Sequence, residues 1–457
     1  MQWFLSVQDS SDRLTPQATD WPGAAAAASP SAAQRPDAAA LWLDPSRKFQ
    51  TLEGFGGAFT EAAASVWSGL GDAARVQLLR DYFDPASGHG YSLCRVHMNS
   101  CDFSLGNYAH AEVSDDFALE HFNIDRDRQA LLPFVQAAQA IAPQPIKLLV
   151  SAWSPPAWMK TNARMNDGGR LKPECRSVWA QCFVRFIQAY AAAGVPVWGV
   201  SLQNEPEAHQ VWDSCLYSAE DERDFIRDHL GPALAQADLG HVRIVIWDHN
   251  RDQMVERAGV VYADADAAKF VWGTGFHWYG EDHFDHVQQV HDAWPDKHLL
   301  FTEGCQEGGP HHGEWAVGER YARNIINDLN RWTVGWIDWN LLLDHRGGPN
   351  HVGNYCSAPI LTDEAGTALK HQPAYWALGH FARFIRPGAQ RVLCAANRSA
   401  IEATAFVNVD GSLAVVVLNR TAQPLRFALR GMGLPQGAVM PPALELPPRS
   451  MVTGVMR

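Results

Sequence analysis

Between residues 51 and 343 the chain repeats one pattern eight times: a short apolar, β-branched or aromatic run, then a longer amphipathic stretch. The runs are TLEGFGGAF (51–59), SLCRVHM (92–98), IKLLVSAW (146–153), VWGVSLQ (197–203), VRIVIWD (242–248), VWGTGFHWY (271–279), HLLFTEG (298–304) and GWIDWNLLL (335–343). Runs this short, bounded by turn residues, predict buried strands. Between them PECRSVWAQCFVRFIQAYAAAG (173–194) spaces its apolar residues by three and four and ends at Gly194, which predicts a helix and its stop. SAEDERDFIRDHLGPAL (218–234) opens with Ser and acids, as a helix N-terminus does. Strands alternating with helices predict a parallel sheet. Eight such units predict an α/β fold, a (β/α)8 TIM barrel.

The flanks differ. After residue 387 the helical period disappears, and QRVLCAAN, AIEATAFVNV, SLAVVVLNR, LRFALR and SMVTGVM form short strands separated by turn residues. Near the N-terminus QWFLSV and ALWLD are strand-like too, so a side β-sandwich built from both chain termini is expected. The expected division is 1–47 for N-terminal sandwich strands, 48–386 for the barrel and 387–457 for the rest of the sandwich. Residues 22–40, rich in Ala, Pro and Ser, predict a flexible surface loop.

A chain of 457 residues has room for such a barrel and its companion. Its formal net charge of −13, with no cluster of Lys and Arg, excludes nucleic acid as the expected partner. The 18 Trp exceed what a core needs, and indole faces suit the flat C–H surfaces of sugars. The eight Cys form no CxxC pair and match no zinc or iron–sulfur spacing, so free, mostly buried thiols are expected. No run approaches 18 apolar residues, so no transmembrane segment is expected. The N-terminus has no basic region before a long apolar stretch, which predicts a cytoplasmic chain, or an exported one whose signal has been removed. Oligomeric state is left open.

In a barrel of this class the reactive groups sit at the C-terminal ends of the strands. Those ends carry Asn99, Asp102 and Phe103 after strand 2, Trp153 after strand 3, and Asn204 and Glu205 after strand 4. Asp248 and His249 follow strand 5, His277, Trp278 and Tyr279 strand 6, Glu303 strand 7, and Asp338, Trp339 and Asn340 strand 8. Two carboxylates facing across one mouth are the machinery of glycoside hydrolysis. One protonates the leaving oxygen while the other attacks the anomeric carbon, and a gap of about 5–5.5 Å implies retention. The acid needs a raised pKa, which burial supplies. The alternative is that Glu205 and Glu303 are structural, each paired with an Arg. Glu207, Glu220 and Glu222 are expected on a solvated helix start, and Glu307 in an exposed loop. GFGG lacks the G-x-G-x-x-G spacing and a following Lys, so nucleotide binding is rejected. His97, His249 and His277 suggest a metal-dependent amidohydrolase, but no H-x-H pair follows strand 1. Asp102 has a structural alternative, a buried acceptor that fixes the loop after strand 2.

Together FQTLEGFGGAFTEAAA, RVHMNSCDFSLGNYAH, SAWSPPAWMKTNARMNDGGRLK, GVSLQNEPEA, GFHWY and GWIDWNLLLDHRGGPNHVGNYCSAPI carry a resemblance to family 30 of the glycoside hydrolases, and within it to the acid β-glucosidase (glucosylceramidase) branch. The likeness runs from about residue 49 to the C-terminus. It implies Glu205 as general acid/base and Glu303 as nucleophile. It implies Asp102, Phe103, Trp153, Asn204, Trp339 and Asn354 as substrate-binding positions, with His277 and Tyr279 beside the nucleophile. It implies exo action on a β-glucoside, free or lipid-linked, without metal or cofactor. An endo-β-1,6-glucanase, a β-xylosidase or β-fucosidase, or a non-catalytic carbohydrate- or lipid-binding barrel are the alternatives. The N-terminal disulfides and glycan sites of the lysosomal members have no counterpart here, and the loops after Glu205, His277 and Glu303, which shape the aglycone side, transfer least.

Overall fold

The computed structural model describes residues 1–18, 39–432 and 443–457. The loop expected over residues 22–40 lies outside them apart from its last two residues. All eight apolar runs form parallel strands that close into a barrel: Gly54–Phe59, Leu93–Met98, Lys147–Ala152, Val197–Ser201, Arg243–Asn250, Val271–His277, His298–Glu303 and Thr333–Asn340. They are barrel strands 1 to 8 below. Strands 2 and 3 pair in unbroken register, Leu93 beside Lys147 through Met98 beside Ala152. Closure comes where Gly335 of strand 8 meets Gly54 of strand 1. The GFGG glycines are packing devices: a Cβ on Gly56 would land on the Leu93 carbonyl of the neighbouring strand.

Side chains alternate across each strand. Leu93, Leu149, Val245, Leu300 and Ile337 point inward and fill the barrel, with Trp198 and Trp272 against them. This is a packed core, not a pore. The outward side chains meet the helices. Arg176–Ala192 forms as expected, and Gly194 ends it at φ +81°, a conformation that glycine alone adopts freely. The helix expected over 218–234 is interrupted by one π-helical turn, Ile226–Leu230, between Ala219–Phe225 and Gly231–Gln236. Its Ser218 and Asp221 form a capping box.

The flanking strands form one nine-stranded sheet, ordered Ala443–Leu446, Leu425–Gly431, Ala40–Thr51, Gln390–Ala396, Glu402–Val407, Leu413–Asn419, Ser450–Met456, Gln2–Val7 and Thr15–Pro16. It is discontinuous in sequence, as expected. It is not wholly antiparallel, because Leu425–Gly431 runs parallel to Ala40–Thr51. On Leu413–Asn419 the residues Leu413, Val415 and Val417 face the sheet's own core, which every long strand supplies. Ala414, Val416 and Leu418 face the barrel's core. That strand is buried on both sides, so its sequence is continuously apolar. His380, on the helix Pro373–Ala382, bridges the two bodies through Thr453 Oγ1 at 2.8 Å and Ser6 Oγ at 2.9 Å. Burial depresses its pKa to about 3, so it joins them as a neutral ring.

The cysteines form no disulfide among the described residues, and all but the partly buried Cys394 are buried. Among those residues no helix is long and apolar enough to cross a membrane.

One acid departs from expectation. Glu222 does not sit on a solvated helix start; it is buried, accepts the Trp247 N–H at 2.9 Å and pairs with Arg257 at 3.2 Å. Trp247 and Asp248 both take positive φ, 70° and 50°, so the strand-5 backbone bends here and presents an N–H that needs a buried acceptor. Glu207 and Glu220 are exposed, as expected.

Candidate active site

Past strand 4 the chain turns into the barrel mouth. The Asn204 N–H donates to the Ala152 carbonyl at 2.7 Å and the Glu205 N–H to the Asp248 carbonyl at 3.0 Å. Gln203 Nε2 holds the Trp153 and Asn204 carbonyls at 2.7 and 2.9 Å. Glu205 takes φ +48°, uncommon for a residue with a Cβ. Three anchors maintain that strained turn, and strain held in this way is typical of functional sites. Glu303 needs no such turn, being the last residue of strand 7.

Both glutamates line one cavity of about 340 Å³. Asp102, Trp153, Asn204, Tyr279, Trp339 and Asn354 line it with them, so six of the eight expected substrate-binding residues converge there. Trp153 and Trp339 stack at 5.2 Å between ring centroids, 22° from parallel. Asp102 is buried, and Asn350 and Asn354 both donate to its Oδ2, at 3.2 and 3.1 Å. Its other oxygen is left for a ligand.

The remaining two do not line the cavity. Phe103 is not on the cavity wall; fully buried, it stands edge-on behind Trp339 at 5.9 Å, because the loop after strand 2 turns it into the apolar cluster there. His277 is fully buried as well, and its hydrogen bonds run to Glu205 Oε1 at 3.2 Å and Asp248 Oδ1 at 3.0 Å, not to Glu303. It lies between the two carboxylates, being also the ladder neighbour of Glu303 across strands 6 and 7. Tyr279 does stand beside Glu303, donating to its Oε1 at 2.9 Å.

Arg95 joins the two halves. From the middle of strand 2 it donates to Glu303 at 2.5 Å, Asp248 at 2.7 Å, Asn204 at 2.9 Å and Ser151 at 2.8 Å. A chain therefore runs Glu205–His277–Asp248–Arg95–Glu303. Burial raises Glu303, His277 and Arg95 oppose it, and its pKa stays above the ordinary carboxylate range. Burial also acts upward on Glu205, but His249 and His277 outweigh it and hold the carboxyl below that range. This reverses the expectation that burial would dominate at Glu205. Burial disfavours the His277 cation, but Glu303, Asp248 and Glu205 overcome it and lift its pKa to about 9. Burial and Glu303 push Asp102 up to about 8.

Sequence reasoning passed over Arg95, although a single cation inside SLCRVHM was the available signal. It named Asp248 at a strand end without giving it work, and His249 only as a candidate metal ligand. It had no means of placing Gln210, Trp212, Cys305 or Cys356 on the wall. Of the candidate metal histidines, His97 is occupied by backbone, accepting the Glu61 N–H at 3.0 Å and lying 2.6 Å from the Asn99 carbonyl. Glu205, His249 and His277 do bring three donor atoms together, as do His283, Asp285 and His286 on the surface.

Known proteins are similar to this chain. The family model described as "Glycosyl hydrolase family 30 TIM-barrel domain" matches residues 52–385, and "Glycosyl hydrolase family 30 beta sandwich domain" matches residues 388–454. The chain is 38% identical over 407 residues to the lysosomal acid glucosylceramidase of Mus musculus, covering 85% of this chain and 79% of that one. It is 28% identical over 394 residues to an endo-1,6-beta-D-glucanase of Neurospora crassa, covering 82% and 80%. Among solved structures it is similar to SrfJ from Salmonella typhimurium, with a TM-score of 0.91, 37% identity and full coverage of both chains. With family models spanning barrel and sheet, and two strand-end glutamates in one cavity, the chain belongs to glycosyl hydrolase family 30 and is a glycoside hydrolase.

Proposed function

We propose that this hydrolase is a retaining, exo-acting β-glucosidase that releases terminal β-glucosyl residues from glucosylceramide or related β-glucosides. The observation that carries the reading is the shared cavity, with Glu205 and Glu303 on its wall. Its size, about 340 Å³, is at the small end of the ~300–1,000 Å³ usual for ligand sites, which favours one terminal sugar over a long chain. The 38% identity to a glucosylceramidase supports the glucosyl preference.

In the proposed reaction the Glu303 carboxylate attacks the anomeric carbon while Glu205 gives its proton to the departing glycosidic oxygen. The aglycone leaves as an alcohol, and the glucosyl group remains as an ester on Glu303. Glu205, now a carboxylate, takes a proton from water. That water displaces Glu303 from the opposite face, giving glucose of retained configuration and restoring both carboxyl groups. Trp153 and Trp339 offer apolar faces to the ring, while Asp102, Asn204 and Asn354 offer acceptors and donors to its hydroxyls. Phe103 holds Trp339 from behind, and His277 orients Glu205.

The test is a panel of aryl β-glycosides with glucosylceramide, with and without detergent. Glu303→Gln should abolish turnover, and azide should rescue Glu205→Ala on an activated aryl glucoside with a β-glucosyl azide product. An inverted product, or full activity in Glu303→Gln, overturns the mechanism. The Neurospora crassa relative supports a second reading, endo-β-1,6-glucanase activity. Oligosaccharides released from a β-1,6-glucan would establish it, whereas glucose alone would remove it.

A further inference from the structure

We propose that Glu205, His249 and His277 form an inhibitory binding site for a borderline divalent transition-metal cation, Zn²⁺ being the best fit. The proposal rests on the reading of Glu205 as the acid/base, because an ion held there occupies the oxygen that must carry the catalytic proton.

The geometry suits the ion. Glu205 Oε1 lies 3.2 Å from His277 Nδ1 and 3.7 Å from His249 Nδ1, and the three donor atoms lie within 4.8 Å of one another. Tetrahedral zinc with ligands at about 2.0–2.1 Å requires donor–donor separations of about 3.3–3.5 Å. The two carboxylate–imidazole separations bracket that value, and the two imidazole nitrogens lie within 4.8 Å of each other. Two imidazoles and one carboxylate are a zinc ligand set, whereas magnesium and calcium prefer oxygen alone.

The surroundings are those of a metal-binding histidine. His277 turns its second nitrogen to Asp248 at 3.0 Å. Asp248 is fixed in turn by Arg95 at 2.7 Å and by Ser201. A carboxylate behind a ligating imidazole orients the ring and raises its basicity. His249 Nδ1 is buried and has no hydrogen-bond partner. A buried nitrogen of that kind is uncommon and calls for a ligand. Glu205 and His249 line the cavity, so the ion has a route in and a fourth coordination position facing out.

On binding, hydrated Zn²⁺ gives up waters to the two ring nitrogens and the carboxylate oxygen. Any proton on His277 Nδ1 or Glu205 passes to solvent, while the His277 Nε2 proton stays on the ring, donated to Asp248 Oδ1. No electron is transferred and no other covalent bond of the protein changes. Glu205 then has no proton for the leaving oxygen.

The test titrates Zn²⁺ into the metal-stripped full-length protein by isothermal calorimetry, with circular dichroism checking that each variant is folded. The wild type should bind one ion at this site, and His249→Asn should weaken that affinity about tenfold or more. The double variant His283→Asn/His286→Asn, which dismantles the surface cluster, should leave it unchanged. Zn²⁺ should inhibit aryl β-glucoside hydrolysis and excess EDTA should restore it. Equal zinc affinity in folded His249→Asn overturns the proposal, as does loss of binding only in the double variant. A protein that hydrolyses the glucoside but binds no zinc overturns this proposal alone. One that binds zinc through His249 but hydrolyses no β-glucoside overturns the acid/base reading instead.

Discussion

Arg95 and Glu303 form an ion pair, 2.5 Å from Nη1 to Oε2, in which the guanidinium is wholly buried. A lone buried cation would be strongly unfavourable, but this one has Asp248 as a second counter-charge and donates to Ser151 and Asn204 as well. The family's paired glutamates and the alternative in which a strand-end Glu merely pairs with an Arg are therefore not exclusive. Glu303 does both. Arg95→Met removes the shared partner of two buried carboxylates, so stability should fall by about 3–5 kcal/mol in denaturant titration. Arg95→Lys keeps the charge but cannot reach four acceptors. It should fold, and should lose at least about tenfold in kcat, since ~1.4 kcal/mol of misplacement is tenfold in rate. Wild-type kcat in Arg95→Lys would show that the fork does not position Glu303.

The pH profile follows from the same chain of groups. In the proposed reaction, turnover requires Glu205 protonated and Glu303 ionised. Glu205 is held low by the imidazoles and Glu303 is held high by burial, so the pair titrates through two coupled steps. kcat/KM should be bell-shaped. His277 lowers both carboxyls, and its own pKa of about 9 makes it a cation below that pH. Removing a cation raises the pKa of a nearby carboxyl. In His277→Gln both limbs should therefore move to higher pH, by about one unit. Limbs that stay in place, or move down, would mean that His277 is uncharged in the working enzyme.

The barrel was legible because its strands are buried on both faces. Strands without a polar face form continuous apolar runs, which short periodic windows detect. The site was legible only where a polar residue ended such a run, as at Asn204, Glu205 and Glu303. Arg95 was not, because it lies mid-strand and its partners arrive from strands 3, 4, 5 and 7. Glu222 was misplaced because its acceptor role answers a backbone bend at Trp247, 25 residues away, that no local pattern encodes. Phe103 shows the opposite limit: an aromatic at a strand end can stand behind a ring of the cavity wall as well as on the wall itself. Ala443–Leu446 is only four residues long and was passed over.

The glycines of GFGG supply a stability test. A methyl group on Gly56 would meet the Leu93 backbone, which cannot rotate away as a side chain could. Gly56→Ala should destabilise by about 3 kcal/mol or more, at the upper end for overpacked cores. The exposed Gly240, whose added Cβ would meet nothing, is the control; Gly240→Ala should be nearly neutral by the same denaturant titration. Equal effects would mean that the strands part freely at this seam.

Asp102 separates hydrogen bonding from charge in sugar recognition. With its pKa pushed up to about 8, the carboxyl is neutral below that pH. The two amides on Oδ2 occupy acceptor positions, which leaves the proton on Oδ1, where it can be donated to a hydroxyl. Asn is nearly isosteric and also presents one acceptor and one donor end. Asp102→Asn should therefore keep kcat/KM for an aryl β-glucoside within about tenfold of wild type, whereas Asp102→Ala, which leaves both amides and the sugar hydroxyl unpaired, should lose about 10²-fold or more. As pH rises through 8 the wild type acquires a negative charge that Asn lacks, so the binding difference between them should widen there. A loss in Asp102→Asn as deep as in Asp102→Ala at acidic pH would mean that the sugar is bound by an ionised Asp102.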